Sequence, residues 1–91
     1  MASRVRERCD TMIDLFREYI DTGREIEFAY DKKEYSITYY NDNRVNYISF
    51  CEFYKEPIDV SSFDELLEKK YNGISIKNMI ESLNEDDYSV F

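Results

Sequence analysis

Between Arg24 and Tyr39 the apolar residues fall on every second position, and this alternation constrains the fold more than any other feature of the chain. In Arg24-Glu25-Ile26-Glu27-Phe28-Ala29-Tyr30, one face collects Ile26, Phe28 and Tyr30 while Glu25 and Glu27 take the other. After the short turn Asp31-Lys32-Lys33, the segment Tyr35-Ser36-Ile37-Thr38-Tyr39 repeats the pattern, with Tyr35, Ile37 and Tyr39 together. Period two with a turn between predicts a β-hairpin that is apolar on one side only. Asn41-Asp42-Asn43 supplies residues that tolerate left-handed turn conformations, and a third strand returns over Val45 to Phe53, ended by Pro57. Within it Val45 and Tyr47 share one phase while Ile48 and Phe50 share the other, so this strand either bulges or is covered on both sides.

A one-sided meander needs a cover, and the flanking segments have helical spacing. Val5, Cys9, Met12, Ile13, Phe16, Tyr19 and Ile20 recur every three or four residues, which predicts an amphipathic helix from about Val5 to Thr22 with Gly23 as its left-handed stop. Either Ser3 or Thr11 with Asp14 caps it; Arg4, Arg6 and Arg8 oppose the macrodipole at such an end and favour fraying of residues 1–9. Ser62-Phe63-Asp64-Glu65 is a capping box opening a helix that carries Phe63, Leu66, Leu67 and Tyr71 and is closed by Asn72-Gly73. Ser75 caps a last helix with Ile76, Met79, Ile80 and Leu83. These two form an αα-hairpin. Residues 85–91 are an acidic patch and a short apolar end, and Val90 and Phe91 either dock on the sheet or fray. The expected architecture is therefore α+β, an N-terminal helix, a three-stranded antiparallel sheet and a C-terminal αα-hairpin (αβββαα), in one domain covering residues 1–91. Ninety-one residues is less than the usual size of one domain, about 100–150.

The residue inventory narrows the chemistry. There is no His, the residue most used for acid/base work near neutral pH, and Cys9 and Cys51 lie far apart in no zinc or redox motif. With only Gly23 and Gly73, phosphate loops and nucleophile elbows have no material. Carboxylates such as Glu25 with Glu27, or Asp64, Glu65 and Glu68, are the remaining catalytic candidates, and no signal of a pocket that would raise their pKa accompanies them. No catalytic residue, metal or cofactor is expected. No stretch has the make-up of a leader or a membrane span, which predicts a cytoplasmic protein. The net charge is −8, and residues 51–91 hold ten acids against four lysines. That sign repels phosphate and anionic membranes and favours a basic partner. Tyr35, Tyr39, Tyr40, Tyr47 and Tyr54 crowd the strands; with Tyr35 and Tyr39 turned to the helices, Tyr40 and Tyr54 face outward, where amphipathic rings suit binding.

The strings Gly23-Arg24-Glu25-Ile26-Glu27-Phe28-Ala29-Tyr30, then Lys33, Tyr35, Ser36 and Ile37, then Phe63-Asp64-Glu65-Leu66-Leu67 and Gly73-Ile74-Ser75-Ile76-Lys77 resemble a pattern in small proteins of Gram-positive bacteria and their phages. In charge and expected α-β-β-β-α-α order the chain also resembles small acidic anti-CRISPR proteins. That resemblance implies an inhibitor, a DNA mimic from a phage or mobile element, that sets carboxylates against the basic DNA-recognition surface of a type II CRISPR nuclease. The partner-binding residues expected on this view are Asp64, Glu65, Glu68, Glu81, Glu85, Asp86 and Asp87, with Tyr40 and Tyr54 as apolar anchors. The alternative is a housekeeping or regulatory subunit that binds proteins through the sheet's outer face, as a monomer or as a homodimer through its third strand.

Overall fold

A computed structural model describes residues 11–91. The expected helical positions Val5 and Cys9, the cap at Ser3 and the frayed residues 1–9 lie outside them. Helix α1 spans Met12–Asp21 and is capped by Thr11, whose extended backbone (φ −120°, ψ 155°) interrupts any helix passing through it. The Thr11 hydroxyl accepts the Asp14 amide at 3.0 Å, which satisfies one of the orphan donors of the first turn. At the other end Gly23 takes φ +76°, with Gly23 N–H on the Ile20 carbonyl and Arg24 N–H on the Tyr19 carbonyl. This is the paired bonding of a left-handed helix stop.

The sheet differs from expectation. It has five antiparallel strands, with a separate two-stranded ribbon beyond it. The strands are β1 (Ile26–Tyr30), β2 (Lys33–Asp42), β3 (Val45–Glu52), β4 (Ile58–Val60) and β7 (Tyr88–Val90), in the spatial order β4-β3-β2-β1-β7. The β1–β2 and β2–β3 connections are two-residue turns, Asp31-Lys32 and Asn43-Arg44, and all four residues have positive φ. This is the turn whose twist matches flanking strands. β2 and β3 pair from Tyr35↔Glu52 to Asp42↔Val45 without a bulge, so Ile48 and Phe50 point inward while Val45 and Tyr47 stay on an open face. β3 lies between β2 and β4, and the outer strands of the sheet are β4 and β7.

The C-terminal αα-hairpin is replaced as well. Helix α2 is only Phe63–Leu67, and Asn72-Gly73 is not a helix stop but the turn between β5 (Lys70–Tyr71) and β6 (Ile74–Ser75), with φ +56° and +77°. Helix α3 (Ile76–Glu81) follows, capped by Ser75 as expected, and a 3₁₀ turn over Glu85–Asp87 leads into β7. Tyr71 shows why α2 stops early. Its ring lies edge-on to Tyr35 and Phe50, at 5.9 and 5.4 Å between centroids, and its hydroxyl donates to the Glu56 carbonyl at 2.7 Å. A tertiary contact of this size outweighs the weak helix propensity of a few residues.

The core lies between one face of the sheet and the helices. Phe16, Ile26, Tyr35, Ile37, Phe50, Leu66, Ile76, Met79 and Ile80 are fully buried, and no charged or polar side chain among the described residues is buried with them. Rings run across the inner face: Tyr88 on Phe16 (5.3 Å), Phe16 on Phe28 (6.2 Å), Phe28 on Tyr35 (5.3 Å) and Tyr35 on Phe50 (5.7 Å). The C-terminal residues dock instead of fraying. Ile26 pairs with Val90, and the Phe91 amide donates to the Glu25 carbonyl at 2.8 Å.

Tyr88 ties β7 to α1, so Tyr88→Ala should lower the unfolding free energy by about 2–3 kcal/mol, read from urea denaturation. A second expectation concerns alkaline pH. Burial, with the charge of Glu25, pushes the Tyr39 hydroxyl up to about 12, and burial with the Tyr19 hydrogen bond does the same for Tyr88. Both ionise near 10 when unfolded, so their contribution is complete below about pH 10 and is lost as pH rises through 12. The Tyr39→Phe/Tyr88→Phe variant should show a shallower fall in urea midpoint than the parent between about pH 9 and pH 11.

Candidate functional site

The sheet covers only one of its faces, and register places side chains on the other. Glu27, Ser36, Cys51 and Ser89 form one row across the strands. Thr38, Ser49 and Asp59 form the next, followed by Tyr40 with Tyr47 and then Asp42 with Val45. The middle is small: Ser36 Oγ and Cys51 Sγ are 3.6 Å apart, and both side chains are half-buried. The ends are large or charged, which divides this open face into an acidic end and an aromatic end.

At the acidic end, beside the β1–β2 turn, a recess of about 350 Å³ is lined by Glu27, Glu34, Asp86 and Asp87 and by one cation, Lys32. Two of these carboxylates come from the polar phase of the hairpin, and two come from the 3₁₀ turn that delivers β7. The Asp87 carboxylate also accepts the Asn84 amide at 2.8 Å, which holds that turn in place. Glu81, at the end of α3, and Glu85 are exposed in the segment leading to it.

The acids of α2 are elsewhere, because α2 packs beside β4 at the opposite edge of the sheet. With strands about 4.8 Å apart, β4 and β7 are separated by roughly 19 Å. Asp64 accepts Arg17 Nη2 at 2.9 Å, and the Arg17 guanidinium lies 5.1 Å over the Phe63 ring. Glu65 accepts the Ser61 amide at 2.9 Å and its hydroxyl at 3.0 Å, contacts that hold its carboxyl below the usual range. Glu68 is exposed. The structure therefore does not bring the seven expected acids together: Glu85, Asp86 and Asp87 share one edge with Glu81 leading to it, while Asp64, Glu65 and Glu68 stand at the other.

Tyr40 and Tyr54 both point to solvent, at 42 % and 99 % exposure, but at different ends. Tyr54 sits at φ +68° in the turn after β3, against Phe53, whose amide donates to the Glu34 carbonyl near the acidic end. Tyr40 stacks on Tyr47 at 5.1 Å and 23°, and its hydroxyl donates to Asp59 Oδ2 at 3.0 Å. That bond, followed by partial burial and by the charges of Asp59 and Asp42, raises the Tyr40 hydroxyl above its usual range. Glu34, Tyr47 and Asp59 were not among the expected site residues, and Glu27 was named only as a catalytic candidate with Glu25. The polar phase of the alternation marks Glu27, and Glu34, in the same phase one residue before Tyr35, could have been found by extending it.

A third feature is a cleft of about 670 Å³ on the inner side of the β2–β3 ribbon, between α1 and the start of α2. Ile20, Tyr39, Ile48 and Phe63 line it together with Arg17, Asn41, Asn46 and Asp64. Its polar groups are largely engaged with one another, Arg17 with Asp64 and Asn41 Nδ2 with Asn46 Oδ1 at 2.8 Å. No described carboxylate has the burial that lifts a general acid toward neutral pH, and no three Asp, Glu or Cys side chains among the described residues are grouped as metal ligands.

No protein family, curated protein or solved structure matches the chain. No helix among the described residues is long and apolar enough to cross a membrane.

Since the Glu65 carboxylate accepts from the Ser61 amide and hydroxyl while its own amide donates to the Ser62 hydroxyl, Glu65→Ala should lower the denaturation midpoint, whereas Glu68→Ala one turn on should leave it nearly unchanged. Chemical denaturation of both variants measures this. The contribution of Glu65 should be present above its ordinary pKa of 4.5 and should disappear as pH falls through its lowered value.

Proposed function

We propose that this chain is a non-enzymatic acidic interaction protein that occupies the basic nucleic-acid-binding surface of another protein, in the manner of a phage or mobile-element inhibitor of a CRISPR-type defence nuclease. One observation carries the reading: four carboxylates from three separate elements, Glu27, Glu34, Asp86 and Asp87, border a single recess at one end of an open sheet face. Exposed carboxylates gathered around one recess give that end of the face a negative potential that attracts a cationic surface. DNA carries one charge per about 1.7 Å of axis, so a competitor for a DNA cleft needs density of this kind on one patch more than it needs total charge. The net charge of −8 adds long-range attraction that speeds encounter. Glu85, exposed in the same 3₁₀ turn as Asp86 and Asp87, adds a further acid, and Tyr54 supplies an apolar contact near this end. Asp64 and Glu65, already engaged inside the molecule, play no direct part. A cytoplasmic site of action belongs with this reading.

The test is competition. Fluorescent DNA bound to guide-loaded type II CRISPR nucleases, taken as a panel, should be displaced by the protein, and displacement should weaken steeply as salt rises. Glu27→Lys, Glu34→Lys and Asp86→Lys together should reduce displacement by roughly 100-fold or more, on the basis of about 1 kcal/mol for each reversed contact. If no nuclease in the panel releases its DNA, or if the triple variant competes as well as the parent, the reading is wrong.

A further inference from the structure

The acidic recess selects for positive charge but not for a kind of cation; the aromatic end of the same face is more selective. Past Ile37, β2 is no longer paired with β1, and before Ile48, β3 is not yet paired with β4. Tyr40 and Tyr47, directly opposite each other, therefore stand on a two-stranded ribbon that projects from the sheet. Tyr40 reaches across β3 to Asp59, so its ring lies along the open face, with Tyr47 stacked on it. Asp59 gives one acceptor site to the Tyr40 hydroxyl and keeps others, because a carboxylate offers about four lone-pair sites. Asp42 is near enough for its charge to act on the same hydroxyl. Among the described residues the one ion pair within 4 Å and the one cation over a ring both belong to Arg17, so none of these four side chains already holds a cation.

Arg17 shows what such a combination does. Its guanidinium lies over the Phe63 ring while donating to Asp64 at 2.9 Å, an aromatic face and a carboxylate sharing one planar cation. Resting on the reading of the chain as a binder of basic proteins, we propose that Tyr40 and Tyr47, with Asp59 and Asp42 beside them, form a docking platform for an arginine side chain of the partner. Arginine fits better than lysine, since a flat, weakly hydrated guanidinium stacks on a ring and still directs paired N–H groups at a carboxylate. A single-stranded base would stack equally well on the rings, but its phosphates would meet Asp42 and Asp59.

The experiment compares nona-arginine with nona-lysine peptides binding to the whole chain at low salt, by calorimetry. The arginine peptide should bind roughly 3- to 30-fold more tightly, the range expected of a partly desolvated cation–ring contact. Tyr47→Leu, or Asp59→Asn with Asp42→Asn, should bring the two peptides to within about twofold of each other. Circular dichroism confirms folding, and should Tyr47→Leu not fold, the double Asn variant at exposed positions carries the test. Tyr40→Phe, which keeps the ring and frees Asp59, should preserve the preference. Glu27→Gln with Asp86→Asn should weaken both peptides alike and leave their ratio unchanged. Equal binding of the two peptides to the parent, or a preference that survives loss of the platform, overturns this proposal and leaves the acidic interface standing. Failure of both peptides to bind overturns both readings. Binding of a single-stranded oligonucleotide that Tyr47→Leu abolishes would assign the platform to nucleic acid instead.

Discussion

Each of the rings from Tyr88 through Phe16, Phe28, Tyr35 and Phe50 to Tyr71 comes from a different element, so the row locates six parts of the chain relative to one another. Tyr35 is central: it stacks on Phe28 and Phe50, meets Tyr71 edge-on, and is fully buried. A buried hydroxyl without a partner would cost about 1–3 kcal/mol, and Asn72 Nδ2 reaches it at 3.3 Å from the β5–β6 turn. Asn72 also donates to Glu52 at 2.9 Å, which binds the end of β3 to the same turn. A domain this small has few other ways to hold a short helix and a two-residue ribbon in place, since neither is stable by itself.

The aromatic row also leaves the other side of the sheet uncovered. Because the rings of this row turn inward, the open face between its two ends carries Ser36, Thr38, Ser49 and Cys51, which are too small to cover it. Charge collects where the 3₁₀ turn brings Asp86 and Asp87 beside Glu27 and Glu34, and aromatic surface collects on the ribbon beyond β1. Rigid packing beneath and uncovered side chains above are what a preorganised binding surface requires.

Much of this was legible in the residues. The Thr11 cap, the Gly23 stop, the hairpin phase that buries Tyr35 and exposes Tyr40, and the caps at Ser62 and Ser75 are local effects, and local patterns report them. β4 and β7 were not legible, because three residues such as Ile58-Asp59-Val60 or Tyr88-Ser89-Val90 are too short to establish a period. Asn72-Gly73 was ambiguous in a different way: left-handed residues end helices and also turn hairpins, and the packing of Tyr71 decides between the two. The division of the acids depends on strand order. Only when β7 returns beside β1, and α2 settles by β4, do Asp86 and Asp64 part company, and no spacing in the chain encodes that pairing.

The brevity of the outer strands has a consequence for behaviour at high concentration. An exposed sheet border is a template on which another molecule can add its own backbone, and such addition can repeat without limit. At β4 and β7 that border is a run of three residues, and β4 is preceded by Pro57, which has no amide hydrogen to give. A neighbour adding at β4 or β7 would gain few bonds to offset the ordering of its chain, so growth of the sheet through these two strands is disfavoured.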